Sequence, residues 1–77
     1  MTDRLTVLFA ETLNVDSATI SDATSPQNTP AWDSLNNMIL LAGIEETYEV
    51  ELSSDEITRM KTLGDVRAIL AARGVDA

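Results

Sequence analysis

The chain contains no cysteine and no histidine. Without cysteine there is no disulfide framework, no thiolate metal site and no thiol of the chain's own. Without histidine the commonest base for activating a serine nucleophile is missing. Lys61 is the only lysine, in a Thr/Met/Lys turn with no nearby serine at triad-like spacing. So little catalytic material argues against self-contained enzymology. Long apolar runs are missing too: the longest, Met38 to Ile44, falls far short of the roughly 20 residues that span a bilayer. Met1 is followed at once by the polar Thr2-Asp3-Arg4, so no signal pattern is evident and a cytosolic location is expected. Basic residues are scarce: five Lys and Arg against thirteen Asp and Glu give a net charge of −8. That charge repels a phosphate backbone and an anionic membrane, so neither nucleic acid nor membrane is expected as a partner, and basic protein faces are.

What remains is an acidic binding or carrier module. Its 77 residues make one domain, 1–77, expected as a monomer. A chain this short buries only about 60 % of its unfolded surface, which leaves no room for a cleft-sized pocket beside the core.

Apolar periodicity predicts helices throughout. Leu5, Leu8, Phe9, Thr12 and Leu13 recur at helical spacing behind a Thr2 cap, giving a first helix over about 3–13. Residues 14–32, rich in Ser, Thr, Asp, Asn and Pro, form a long loop, pinned to the core through Val15 and Ile20. Asp33, a favoured N-cap, opens a second helix to about Tyr48. On its projection Met38, Leu40, Leu41, Ile44 and Tyr48 form a core stripe. Leu35, Ile39, Ala42, Glu45 and Glu46 share the other side, which meets solvent or a partner. Ser53 and Glu56 match a capping box opening a short third helix to about Met60. Thr62 and Asp65 open a fourth, with Leu63, Val66, Ile69 and Leu70 apolar and Gly74 as its stop. The fold class is all-α, a four-helix bundle with a long first loop and a short third helix. Asp16 to Asp22 only faintly suggests a calcium loop, lacking the third-position ligand and the turn glycine, and no metal site is expected.

Asp33-Ser34-Leu35, at the start of a helix after a long loop, resembles the Asp-Ser-Leu attachment motif of acyl carrier proteins. The resemblance extends over nearly the whole chain: its length and helix order, Ile44-Glu45-Glu46, Tyr48, the Ser53 to Ile57 opening and Thr62 to Val66. It implies that Ser34 is esterified with 4′-phosphopantetheine taken from coenzyme A, and that acyl groups ride on the arm's thiol. The absence of cysteine then makes sense. Independently of any family, a serine in the first turn of a helix lies near free N–H groups and the positive end of the helix dipole, where a phosphodiester is favoured.

The resemblance implies two kinds of partner: a phosphopantetheinyl transferase, and acyl-loading and acyl-transfer enzymes with basic or apolar docking faces. Asp33 caps the helix, worth about 1 kcal/mol, and by resemblance helps present Ser34 to a basic transferase. Leu35, beside Ile39 and Ala42 on the outer face, reads as a partner contact rather than core. Glu45 and Glu46 read equally as solvated charges and as docking groups. Two positions depart from the family pattern. Where an acid commonly follows the triplet, and a glutamate three places on, this chain has Asn36 and Ile39. A specialised pathway is therefore expected rather than general fatty acid synthesis. Trp32 reads as a loop anchor covering the helix end. Two other readings stand beside the acyl carrier: an aminoacyl or peptidyl carrier, and an unmodified acidic helical adaptor.

Overall fold

Helix α1 (Arg4–Leu13) opens on Asp3, whose carboxylate accepts the Thr6 N–H at 2.8 Å. A carboxylate three residues ahead of that donor reaches it directly, so Asp3 is the cap and the helix starts at Arg4. Thr2, expected in that part, lies outside the described residues, which in this computed structural model are 3–75. The helix buries Leu5, Phe9, Ala10 and Leu13 and ends on Asn14, which takes the left-handed conformation at φ 56°. Asparagine tolerates that region better than most side chains.

Three further α-helices follow among the described residues, with no strand: α2 (Ser34–Tyr48), α3 (Ser54–Arg59) and α4 (Leu63–Ala72). This is the four-helix bundle with a long first loop and a short third helix that the apolar pattern predicts. The predicted Ser53–Glu56 capping box is present, and Thr62 with Asp65, expected to open α4, forms a second one. Gly74 follows α4 at φ +77°, a conformation that favours glycine.

The core joins Leu5, Phe9 and Leu13 of α1 to Leu40, Ile44 and Tyr48 of α2 and to Leu63, Val66, Ile69 and Leu70 of α4. Each large apolar side chain removed from water here stabilises the fold by about 1.5–3 kcal/mol. Helices α1 and α2 approach closely at Gly43, where a Cβ would lie 3.1 Å from Leu8 Cδ1. Helix α3 buries none of its own residues, and Leu52 before it and Met60 after it pack on the core.

The loop between α1 and α2 is held by α4. Asp22 and Thr24 offer carbonyls to the Gly64 and Leu63 N–H groups, each at 2.9 Å, so the loop satisfies donors of the first turn of α4. A Cβ at position 64 would meet the Asp22 carbonyl at 3.1 Å, which is why glycine sits there. Arg67 of α4 reaches Asp3 at 2.6 Å and Asp22 at 3.1 Å, tying the loop to the start of α1. Val15 and Ile20 pack against the core as expected of pins, and a 3₁₀ turn, Ser17–Thr19, lies between them.

Candidate functional site

The end of the long loop is built to present the first residue of α2. Trp32 is buried edge-on against Phe9, with ring centroids 5.1 Å apart at 80°. Its Nε1–H donates to Asn37 Oδ1 at 3.0 Å. From the other side Asn36 Nδ2 donates to the Ala31 carbonyl at 2.7 Å. Two amides in the first turn of α2 thus grip the two residues just ahead of Asp33. The Asn36 bond gives a physical reason for the departure at that position, since a carboxylate has no proton to donate to a carbonyl. Sequence reasoning registered Asn36 only as a missing charge and overlooked Asn37. Their sign was the pair of amides directly after the Asp-Ser-Leu triplet.

Asp33 caps α2, its Oδ1 accepting the Asn36 N–H at 2.9 Å. Ser34 is the first helical residue and is exposed. Among the described residues, neither the Ser34 N–H nor the Leu35 N–H has a hydrogen-bond partner. These two donors and the dipole of a 15-residue helix suit a phosphodiester on the Ser34 hydroxyl. The exposed hydroxyl also has room for what the phosphate would carry. Beside it lies an open groove of about 400 Å³ lined by Pro26, Trp32, Asp33, Ser34, Asn37 and Met60. The residues present therefore fit a 4′-phosphopantetheine group.

The remaining expected site residues divide. Leu35 (68 % exposed), Ile39 (49 %), Ala42 and Glu46 face outward together along α2. Met38, expected in the core stripe, is 68 % exposed. At about 100° per residue Met38 lies about 160° round the helix from Leu40 and about 40° from Ala42, so its place is on the outer side; Leu40, Ile44 and Tyr48 are buried and Leu41 half-buried. Met38 therefore extends the outer apolar patch of Leu35, Ile39 and Ala42. Glu45, expected on the outer side with Glu46, turns inward instead. It is half-buried, and its Oε2 accepts the Leu52 N–H at 2.9 Å, holding the α2–α3 connection. That unpaired amide outcompetes solvent for the carboxylate.

Between Ser34 and Gly43 helix α2 carries no charged side chain, while its last turns hold Glu45 and Glu46. A partner meeting the serine end meets apolar surface first.

No protein-family model matches the chain. Its fold is similar to the solution NMR structure of the holo acyl carrier protein from Geobacter metallireducens. The two are 30 % identical in sequence, the match covers 92 % of this chain and 82 % of that one, and the TM-score is 0.81. Among the described residues no helix is long and apolar enough to cross a membrane.

Proposed function

The chain belongs to the acyl carrier protein family, and from that premise we propose that it carries acyl groups as thioesters on a 4′-phosphopantetheine arm attached to Ser34. The observation that carries this reading is the exposed Ser34 hydroxyl on the first turn of α2, above two unpaired N–H groups and beside an open groove.

Loading takes place in trans. The Ser34 oxygen forms a new bond to the phosphorus of coenzyme A that bears the pantetheine, the pyrophosphate link breaks, and adenosine 3′,5′-bisphosphate leaves. The hydroxyl proton passes to the transferase, because this chain has no histidine to take it. Asp33 holds the first turn of α2 in place through the Asn36 N–H, and the unpaired Ser34 and Leu35 N–H groups would hold the phosphodiester's negative charge. The arm supplies the thiol that the chain lacks. Everything else asked of this protein is positioning, in an enzyme's active site, and for that α2 must be rigid and recognisable.

Recognition rests on the outer face of α2. Leu35 and Met38, each 68 % exposed, and Ile39, 49 % exposed, leave apolar surface in water after folding, and covering the remainder in a partner returns a part of the ~1.5–3 kcal/mol that full burial of each is worth. Partners with an apolar docking notch are favoured over those that read a uniformly acidic helix. This accords with a dedicated acyl pathway, in the cytosol, rather than general fatty acid synthesis. Glu46 contributes charge at the rim and Ala42 allows close approach.

Intact mass after incubation with coenzyme A and a broad-specificity phosphopantetheinyl transferase tests the reading. Gain of one arm on the wild type and none on Ser34→Ala, with unchanged helical circular dichroism, is expected. An unchanged wild-type mass overturns it in favour of an unmodified acidic adaptor. Modification that persists in Ser34→Ala, or that maps to Ser53 or Ser54, overturns the site.

A further inference from the structure

Helix α2 carries its serine on an end that its own side chains do not hold. From Ser34 to Ile39 no residue is buried, and the first to enter the core is Leu40. At a rise of about 1.5 Å per residue that leaves about 9 Å of helix ahead of the first core contact. Leu35 and Met38 are 68 % exposed and Ile39 49 %, so none of them pins this end to the bundle. A helix end with few buried contacts frays readily, because opening it exposes little apolar surface.

What it hangs on is Trp32. The indole is 3 % exposed and packs edge-on against Phe9, so it is fixed to the core through α1. Its Nε1–H donates to Asn37 Oδ1 at 3.0 Å, and Asn36 Nδ2 donates to the Ala31 carbonyl at 2.7 Å. The Trp32 N–H in turn donates to the Thr29 carbonyl at 2.9 Å, which stiffens the segment that the amides grip. Both amides are half-buried and turned toward the loop, which leaves the outer face of the helix to Leu35, Met38 and Ile39.

We propose that Asn36 and Asn37 are positioning residues for the loading of Ser34, fastening the first turn of α2 to Ala31 and Trp32 so that the serine hydroxyl is presented in one orientation; the inference rests on Ser34 being the attachment point. In the loading step the Ser34 oxygen bonds to the phosphorus of coenzyme A, the pyrophosphate link breaks, adenosine 3′,5′-bisphosphate leaves, and the hydroxyl proton passes to the transferase. The oxygen must be held close to the phosphorus, and a misplacement of about 1 Å can cost on the order of 100-fold in rate. A transferase that grips the outer face of α2 does not thereby fix a hydroxyl at a frayed end. Docking and orientation thus fall to different residues, and neither amide touches the reacting atoms.

The two bonds run in opposite directions, and this separates their role from that of charge. Asn36 donates, and a carboxylate in its place has no proton to donate. Asn37 accepts, and a carboxylate accepts from an indole N–H at least as well. Asn36→Asp therefore breaks its bond, whereas Asn37→Asp keeps the other. Both add the same charge to the first turn of α2, where the helix dipole favours it and offsets a lost bond, so the melting midpoint should stay close to wild type.

The test is the rate of loading by a broad-specificity phosphopantetheinyl transferase, read by intact mass at saturating coenzyme A with the carrier concentration varied. Asn36→Asp and Asn37→Leu should each lower kcat by about ten-fold, with KM for the carrier within about two-fold of wild type. Asn37→Asp should recover most of the kcat that Asn37→Leu loses. Equal kcat for Asn36→Asp and Asn37→Asp, a loss confined to KM, or a loss of kcat found only together with a collapsed melting midpoint overturns the proposal. Each of those leaves the Ser34 reading standing, because the wild type still gains one arm; a wild-type mass that does not change ends both.

Discussion

Helix α2 sinks Leu40, Ile44 and Tyr48 into the core, whereas α3, six residues long, buries none of its side chains. Between the apolar contacts of Leu52 before it and Met60 after it, α3 is held by polar bonds: the Ser53–Glu56 capping box at its start, and Arg73 reaching from the end of α4. The Arg73 guanidinium bonds both Glu56 carboxylate oxygens and, at 2.6 Å, the Glu51 carbonyl. Apolar burial is indifferent to pH and barely touched by moderate salt, while exposed ion pairs contribute little and respond to both. The serine is thus mounted on the element that solution conditions disturb least, whereas α3 is the element they disturb most. A carrier whose partners read one helix face benefits from that division.

The largest test of the contrast is Ile44→Ala. Ile44 is 0 % exposed, and truncation at such a site costs about 2–5 kcal/mol, out of the roughly 4–11 kcal/mol a domain of this size holds. Ile57→Ala on α3 removes a similar side chain that is 37 % exposed, and should cost well under half as much. Urea denaturation followed by circular dichroism compares the two; equal losses would erase the distinction between the helices.

Next in size is Ile39→Glu, which separates anchoring from recognition within α2 itself. Ile39 is 49 % exposed, so the added carboxylate reaches water and the melting midpoint should stay near wild type. Affinity for the enzyme that loads its acyl group should fall about ten-fold or more, one decade being 1.4 kcal/mol. A collapsed midpoint would put Ile39 in the core and remove the docking face. Affinity that is unchanged in a folded variant would remove it as well.

The adjacent acids give a finer contrast. Glu45→Ala deprives the buried Leu52 N–H of its acceptor and should cost about 1 kcal/mol. Glu46→Ala, on the exposed side, should stay within about 0.5 kcal/mol of wild type. Chemical denaturation distinguishes them, and equal effects would show that the Glu45 bond contributes nothing.

These pairs also mark where the sequence was readable. Helix starts were legible because caps are local: Asp33, Ser53 and Thr62 each sit three residues before the N–H they accept. The core positions of α1 and α4 were legible because a helix with one wet face carries its periodicity in plain view. Helix α2 is apolar on both sides near the serine, so apolar character alone does not mark the core there; Met38 reads as core by residue type, although the projection sets it about 160° from Leu40, on the side where it is exposed. Glu45 was misplaced for another reason. Its amide partner, Leu52, is seven residues on and beyond the helix end, where no spacing rule reaches. The loop-to-α4 bonds depend on the path of a long loop, which composition constrains only to the extent of naming its pins.

The smallest expected effect is a local one at α3, and acid is the probe. The Arg73 guanidinium bonded to Glu56, helped by the Ser53 N–H, holds the Glu56 carboxyl at about 2 instead of its ordinary 4.5. A carboxyl with a folded pKa below its unfolded one stabilises the folded state fully above the unfolded value. That contribution is lost as pH falls from about 4.5 toward 2, because the unfolded state takes up the proton first. Asp3 shifts in the same direction, chiefly through its bonds to Thr6 and then through Arg67, so the start of α1 loosens in acid too. The Glu56 side chain, 14 % exposed, bonds Arg73 and the start of α3 rather than the core, so the change should show in α3 rather than in global melting. Amide exchange of residues 54–59 should quicken over that window before exchange in α2 does. Arg73→Leu removes the principal cause: the Glu56 carboxyl should then titrate nearer 4.5 by ¹³C NMR, and exchange in α3 should already be faster at neutral pH. A wild-type Glu56 midpoint near 4.5, or α2 amides opening in step with those of α3, would mean that the guanidinium does not hold α3.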